Sequence, residues 1–194
     1  MPEFDTYNRI VAFDVETPNS HNDRISSIGI AVIEGGKLVD TYTSLVDPET
    51  YFNRFNIWLT GITPEMVKDA PAFPKLWGEI GPILQSGLLI AHNAPFDMRV
   101  LAGCLQHYRI DAPAQLNYAC TVRMGKKCYP ELPDHKLDTL CRYRDIALDH
   151  HKADSDSLAC AKLCLDYMEH GLDIAPFVRT YDVRAMKTLT GKHA

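Results

Sequence analysis

The sequence predicts an α/β fold in which helices cover a mixed, five-stranded β-sheet. The first third of the chain has alternating, β-branched segments separated by a short turn. The remainder alternates short apolar runs with longer segments of helical periodicity. The 194 residues are 46% hydrophobic and 23% charged, which is typical of one globular domain. We therefore predict a single domain over residues 1–194, with its core at about 8–170 and a C-terminal tail at 172–194.

The first third of the chain predicts a three-stranded antiparallel meander. Residues 10–17 are apolar and β-branched, and residues 24–33 alternate towards their end, so both segments predict strands. Gly35 and Gly36 predict a two-residue hairpin, because glycine readily adopts positive φ. Residues 37–46 then predict the returning third strand.

Helices and a short strand alternate in the middle of the chain. Residues 51–62 are rich in aromatic side chains and predict irregular structure. Thr63, which is followed by a proline, predicts a helix start, and a further short helix is predicted at 73–85. The continuous apolar run 87–91 predicts a buried strand, and a helix at about 96–108 follows it.

The last part of the chain predicts one strand and three helical segments. Residues 118–122 predict the fifth strand, whereas 123–136, which contains two prolines and a glycine, predicts a loop. A short helix is predicted at 137–143, and residues 153–169 have the apolar spacing of a longer helix. The basic segment 172–194 predicts a docked helix with a frayed end.

Composition and charge favour some functional classes over others. No apolar run approaches the ~20 residues of a membrane helix, and no signal peptide is evident, so we expect a cytoplasmic protein without a membrane partner. A net charge of −5 argues against tight, processive duplex binding but not against an enzyme that engages only a strand end. Cys160 and Cys164 lie near His150 and His151, but their spacing fits no common zinc pattern. We therefore expect reduced thiols in the core rather than a zinc site.

Two acids in the first predicted strand are the most informative residues. Asp14 and Glu16 are two residues apart in the apolar segment 10–17, so their side chains point to the same face, ~7 Å apart. Buried like charges are costly unless a positive charge compensates them, and carboxylate oxygens suit Mg²⁺ or Mn²⁺. The alternative is an edge strand that carries two solvated acids.

Further candidate residues follow other buried segments. Asp97 comes after the strand at 87–91, Asp156 lies in the first turns of the last predicted helix, and His151 is five residues before Asp156. Each acid alone has a structural explanation, because an acid near a helix start complements the helix dipole. Together, four carboxylates can hold two divalent ions ~4 Å apart, and a histidine can accept a proton from water. This set predicts metal-assisted phosphodiester hydrolysis.

Three segments resemble the exonuclease motifs of the DEDDh family, and they occur in the family's order. They are Phe13-Asp14-Val15-Glu16-Thr17, His92-Asn93-Ala94-Pro95-Phe96-Asp97 and His151-Lys152-Ala153-Asp154-Ser155-Asp156. The family comprises ribonuclease H-like 3′–5′ exonucleases and includes the proofreading subunit of bacterial DNA polymerase III. The resemblance covers roughly residues 8–170. It implies a ribonuclease H-like three-layer sandwich with two bound Mg²⁺ or Mn²⁺ ions.

The resemblance also implies catalytic roles. His151 would be the general base, whereas His150 and Asp154 are expected to be a loop residue and a surface residue without a role. The four metal ligands would be Asp14, Glu16, Asp97 and Asp156.

Contacts with the terminal nucleotide are suggested by the motifs and the neighbouring loop, and by side chains that could stack on bases. The candidates are Thr17, Pro18, Gly61, Ile62, Met66, Asn93 and Phe96. Gly61 and Ile62 belong to a segment that resembles the family's His-Gly-Ile-Thr loop, in which Thr60 here replaces the histidine. Met66 and Phe96 are candidates for stacking on bases, with core packing as the alternative, which we favour for Phe96.

The leading functional hypothesis is a metal-dependent 3′–5′ exonuclease that acts on a single-stranded 3′ end, with DNA favoured, and releases nucleoside 5′-monophosphates. A DNA polymerase is a candidate partner, although the short segment after the last helix favours a free-standing enzyme. One alternative is an enzyme that trims RNA 3′ ends or short oligoribonucleotides. The other is a non-catalytic nucleic-acid-binding or scaffold module on the same fold.

Overall fold

The computed structural model describes residues 7–189, in which one seven-stranded mixed sheet lies between two layers of helices. The strands are β1 (Arg9–Glu16), β2 (Ser27–Glu34), β3 (Lys37–Leu45), β4 (Leu88–Ala91), β5 (Gln115–Cys120), β6 (Arg179–Asp182) and β7 (Lys187–Thr188). The helices are α1 (Arg54–Thr60), α2 (Pro64–Val67), α3 (Phe73–Leu84), α4 (Pro95–His107), α5 (Thr121–Cys128), α6 (Leu137–Tyr143) and α7 (Ala153–Glu169), with a 3₁₀ helix at Ala175–Phe177.

The sheet has the strand order β3-β2-β1-β4-β5-β6-β7. The first three strands form the predicted antiparallel meander, and β1, β4 and β5 run parallel to one another. The α/β class and the mixed sheet are therefore confirmed. The predicted number of five strands is wrong, because β6 and β7 add two antiparallel strands beyond β5.

Side chains from opposite faces of the sheet enter two separate cores. Val11, Phe13 and Val15 of β1 pack with α3 and α4 on one face. Ile10 and Ala12 pack with α5, α6 and α7 on the other face. The alternation of β1 thus divides its side chains between the two helical layers.

Three segments differ from the predicted secondary structure. The segment predicted to be irregular at 51–62 contains α1, because the Asn53 side chain accepts a hydrogen bond from Asn56 N–H (2.7 Å) and Gly61 ends the helix with φ 73°. The segment predicted to be a loop at 123–136 contains most of α5. The buried side chains of α5 pack in the same core as those of α7.

The predicted docked helix at 172–194 is also wrong. Its described part forms the 3₁₀ helix and strands β6 and β7, with Tyr181 and Val183 buried. Local sequence did not indicate these strands, because β6 forms by pairing with β5, and β7 by pairing with β6. Residues 190–194 lie outside the described range.

Helix α7 lies unusually close to the sheet. A Cβ atom added at Gly29 of β2 would come within 2.0 Å of the Ala153 carbonyl oxygen at the start of α7. Gly29 also pairs with Asp14 across the β1–β2 ladder. The missing side chain therefore lets the first turn of α7 lie directly over the acidic end of β1.

Within residues 7–189, none of the helices combines the length and the apolar character needed to cross a membrane.

Gly29→Ala is expected to lower the free energy of unfolding by about 1–3 kcal/mol, because the new methyl group must displace the backbone of Ala153. Gly78→Ala is the matched control, since a Cβ atom there has no neighbour within 4 Å and Gly78 is exposed in α3. The control should be neutral or stabilising by about 0.5–1 kcal/mol. Urea unfolding of the two variants measures both effects, and equal stabilities would contradict the close approach.

Candidate active site

The acids of the first motif lie at the carboxyl end of a central strand. Asp14 and Glu16 follow Ile10 and Ala12 on the face of β1 that α7 covers. Strand β1 is hydrogen-bonded to β2 on one side and to β4 on the other. The alternative of an edge strand with solvated acids is therefore wrong, and the two carboxylates enter a cleft between the sheet and α7.

Asp97 reaches the same region from the neighbouring parallel strand. After β4 the chain turns at Asn93, which has φ 65°, a conformation that asparagine tolerates better than most residues. Pro95 then occupies the first position of α4, where a missing N–H costs nothing. Asp97 in the first turn is 2% exposed, and its carboxylate accepts a hydrogen bond from Val15 N–H (3.3 Å). This bond ties α4 to the backbone between Asp14 and Glu16.

Asp156 enters from the first turns of α7. Its backbone N–H donates to the Lys152 carbonyl (2.9 Å), and its carboxylate Oδ2 accepts from His151 N–H (3.1 Å). The other carboxylate oxygen, Oδ1, is buried and has no hydrogen-bond partner. Because a buried acceptor without a partner is costly, this oxygen is well suited to bind a cation.

Three of the four predicted acids bring oxygen atoms into one cluster. One carboxylate oxygen from each of Asp14, Glu16 and Asp156 lies within 4.8 Å of the other two. Asp97 is not one of these three ligands, but its negative charge acts on both Asp14 and Glu16. The donors are all hard oxygen atoms, so they fit a divalent cation such as Mg²⁺ or Mn²⁺.

Burial, with added repulsion from nearby acids, raises the pKa values of these four carboxyl groups. Burial, followed by the charges of Asp156 and Asp97, raises the pKa of Glu16 to about 8. Burial also raises the pKa of Asp97 to about 8 and that of Asp156 to about 6, and it raises the pKa of Asp14 well above its usual range. The cluster therefore resists full ionisation until a cation compensates its charge.

Two adjacent histidines stand beside the acids. The rings of His150 and His151 are stacked, with centroids 4.0 Å apart and planes 10° apart, and His151 has φ 66°. Burial, followed by the charge of His150, lowers the pKa of His151. His150 does lie in the loop before α7, as expected, but it also reaches the cleft, with Nε2 3.8 Å from Asp156 Oδ2. Asp154 is exposed, as expected.

A cavity of about 230 Å³ contains most of these side chains. Its lining consists of Asp14, Val15, Glu16, Thr17, Asn56, Leu59, His92, Phe96, Leu137, His150, His151 and Asp156. The pattern of the sequence did not point to Asn56, Leu59 or Leu137. The cap residue Asn53 and the terminal Gly61 could have predicted helix α1, and with it the position of Asn56. Nothing in the local sequence indicates that Leu137 reaches the cleft.

The candidate substrate contacts at the end of β1 are partly at the cleft. Thr17 lines it and is 5% exposed. The Asn56 side-chain amide donates to the Thr17 carbonyl (2.7 Å) and hydroxyl (3.0 Å), so α1 is fastened to the end of β1. Pro18 is buried outside the lining, where its carbonyl accepts from Asn53 N–H (3.0 Å).

The remaining candidates are dispersed. Phe96 lines the cleft and is 39% exposed, so the core position that we favoured for it is wrong. Gly61 ends α1, Ile62 is buried and Met66 is exposed, and none of the three lines the cleft. Asn93 lines a neighbouring cavity of about 600 Å³, which shares His92, Leu137 and His150 with the cleft.

This combination of a ribonuclease H-like sandwich and an acidic cleft at its central strand ends defines a class of hydrolases that depend on divalent metal. Residues 11–164 match the protein family described as Exonuclease (RNase_T). The chain is 37% identical over 157 residues to the DNA polymerase III PolC-type of Oceanobacillus iheyensis, and 33% identical over 170 residues to that of Bacillus subtilis. These alignments cover 79% and 86% of the chain but only 11% and 12% of the relatives.

Solved structures agree with this result. Exonuclease X in complex with 5′ overhanging duplex DNA has a TM-score of 0.69 and 26% identity, over 87% of this chain and 96% of that one. The nuclease domain of 3′hExo, a DEDDh family member bound to rAMP, has a TM-score of 0.72 and 18% identity, over 86% and 94% of the two chains, and it supports the fold alone. The chain belongs to the Exonuclease (RNase_T) family, and its resemblance to the DEDDh 3′–5′ exonucleases is confirmed.

Glu16→Gln is expected to stabilise the protein in EDTA, because it removes one of the crowded negative charges at nearly constant size. The pKa of Glu16 is raised from 4.5 to about 8, so the folded wild type binds more protons than the unfolded chain within this pH window. Its free energy of unfolding therefore falls as the pH rises through the window. The variant's advantage should be small at pH 4.5 and approach its maximum, on the order of a few kcal/mol, at pH 8 and above.

Thermal unfolding in EDTA at several pH values measures this advantage, and Glu169→Gln on the exposed end of α7 is the matched control. Added magnesium should stabilise the wild type more than Glu16→Gln. A variant advantage that does not change with pH would show that Glu16 is not a buried charge in the folded state.

Proposed function

We propose that the chain is a 3′–5′ exonuclease that hydrolyses the terminal phosphodiester bond of an unpaired 3′ end and releases nucleoside 5′-monophosphates. The convergence of Asp14, Glu16 and Asp156 within 4.8 Å, in a chain of the exonuclease family, is the observation that carries this proposal. Asp97 and His151 beside that cluster complete the set that the motifs imply.

We assign Asp14, Glu16, Asp97 and Asp156 as the ligands of two Mg²⁺ or Mn²⁺ ions. When bound, such ions offset the carboxylate charge and stabilise negative charge that develops on phosphoryl oxygens. The unpartnered Oδ1 of Asp156 and the raised pKa values of all four acids support this assignment. Asp97 would also act through Val15 N–H, since that bond holds the acidic end of β1 in place.

We assign His151 as the general base that accepts a proton from the attacking water. Its backbone N–H is bound to the Asp156 carboxylate, so the ring is held at the edge of the acidic cluster. His92 is the other histidine of the motifs, but its Nδ1 is 2.9 Å from the Thr121 hydroxyl, which suits a structural role. His150 is given no role in the hydrolysis.

The size of the cleft favours one terminal nucleotide as the unit of recognition. Thr17 and Phe96 line the cleft and would contact that nucleotide, with the exposed Phe96 ring available for stacking on a base. The neighbouring cavity carries Lys126 and Lys136, which suit the phosphates that precede the scissile bond. Pro18, Gly61, Ile62, Met66 and Asn93 stay as candidate contacts outside the cleft lining.

DNA is the favoured substrate, and RNA is the alternative. Exonuclease X, at 26% identity, is described in complex with duplex DNA that has a 5′ overhang. The nuclease domain of 3′hExo is described as bound to rAMP, and a related 3′-exonuclease as recognising a histone mRNA stem-loop. RNA carries a 2′-hydroxyl that DNA lacks, so a pocket that accepts this hydroxyl would permit RNA, and one that excludes it would select DNA. The two PolC-type relatives include this segment in a much longer polymerase, which makes a DNA polymerase a candidate partner.

A gel time course on 3′-extended single-stranded DNA and on RNA of matched sequence tests the activity. We expect a ladder of single-nucleotide steps from the 3′ end with Mg²⁺ or Mn²⁺, no cleavage in EDTA, and faster cleavage of DNA. Asp156→Asn, which keeps the size of the side chain, is expected to abolish the ladder. Intact substrates with either metal would favour the non-catalytic binding module, and faster cleavage of RNA would favour the trimming alternative.

The two adjacent histidines provide an internal comparison. His151→Ala is expected to slow the chemical step by roughly 10²–10⁴-fold, the usual effect of a lost general base. His150→Ala changes the neighbouring residue in the same loop and should retain the rate within a few-fold. Single-turnover rates in magnesium measure both variants. The reverse order of effects would assign the base to His150.

A further inference from the structure

We propose that His150, His151 and Asp156 form a second metal site, which takes zinc and blocks the enzyme when it is occupied. One ligand atom from each residue lies within 4.8 Å of the other two. His150 Nε2 and Asp156 Oδ2 are 3.8 Å apart, whereas ligand atoms around a tetrahedral zinc ion with bonds of ~2.0–2.1 Å lie about 3.4 Å apart. Closing the site requires a small shift of His150 towards Asp156 and a tilt of the two stacked imidazoles, so that their ring nitrogens point to one ion.

The loop that carries both histidines is held in place without metal. The Asp149 N–H donates to the Ser155 hydroxyl (2.8 Å), and the His151 N–H donates to the Asp156 carboxylate (3.1 Å). The positive φ of His151 turns the chain so that both imidazoles lie on the same side, with their rings stacked 4.0 Å apart. A metal would thus meet donors that are already gathered, which reduces the entropic cost of binding.

The donor atoms distinguish this site from the all-carboxylate cluster. Imidazole nitrogen suits zinc and is a poor ligand for magnesium, which prefers oxygen. Two imidazoles and one carboxylate leave the fourth position of a tetrahedral zinc ion for water. Asp156 is 4% exposed and has an unpartnered oxygen, so it offers the buried negative charge that a cation needs. Cys160 and Cys164 are buried in the core and do not belong to the cluster.

Zinc at this site would compete with hydrolysis because the two functions share residues. Zinc would coordinate a ring nitrogen of His151, which could then no longer accept a proton. It would also coordinate the Asp156 carboxylate, which would then be less available to an ion held by Asp14 and Glu16. This consequence rests on the proposed function, whereas zinc binding itself does not. Exonuclease activity would then depend on the ratio of zinc to magnesium around the protein.

The inhibition is tested with zinc sulfate added to the full chain at fixed, saturating magnesium, with each variant normalised to its own zinc-free rate. We expect wild-type activity to fall and the midpoint of inhibition for His150→Ala to rise at least tenfold. Loss of a residue that only supports a metal ligand already costs about 10–100-fold in affinity, so loss of a ligand should cost no less. His107→Ala, which removes an exposed imidazole at the end of α4, should behave as wild type. Equal midpoints for wild type and His150→Ala would overturn the proposal.

A spectroscopic experiment tests binding independently of activity. Cobalt(II) serves as a probe in magnesium-containing buffer, and we expect a visible absorption band that zinc removes. The band should be lost in His150→Ala and kept in Cys128→Ser, which removes the half-buried thiol. The opposite pattern, or an unchanged band in His150→Ala, would overturn the site. A band with the expected pattern in a chain without exonuclease activity would support the site and contradict only the proposed function.

Discussion

The close packing of α7 on β1 and β2 is the contact on which the site depends. Gly29 leaves room for the backbone of Ala153, so the first turn of α7 lies directly on the sheet opposite Asp14. Asp156, three residues after Ala153 in this first turn, is thereby brought to the two acids of β1. The position of the site thus follows from how closely α7 approaches the sheet. Without that approach, the carboxylates of Asp14, Glu16 and Asp156 would lie too far apart to share a cation.

This contact has an electrostatic cost that the rest of the fold must offset. Glu16, Asp97 and Asp156 are buried, and their pKa values are raised to about 8, 8 and 6. Two hydrophobic cores, one on each face of the sheet, supply the stability that keeps the acids together. Burial and repulsion favour protonated acids in this cleft, whereas a bound cation would favour ionised ones, so the charge state of the cluster would be linked to metal binding.

The sequence predicted regular elements well where periodicity was strong. Helices were predicted at 137–143 and 153–169, and the structure has helices with these same bounds. It failed where pairing over a long distance decides the structure, as for β6, which becomes a strand only because β5 offers a free edge. Helix α1 falls between these cases, since its Asn53 cap and Gly61 end were visible but its aromatic composition suggested irregular structure.

The sequence alone determined the order and spacing of the acids and the family of the chain, because each motif is a short continuous segment. The sequence also determined that Asp14 and Glu16 share one face of β1, since residues two apart in a strand point the same way. Only the tertiary structure decided that Thr17 and Phe96 line the cleft while Gly61 and Met66 do not. It also decided that His150 stands beside Asp156, because a left-handed turn at His151 and the docking of α7 fix that distance, and neither is encoded in a periodic pattern.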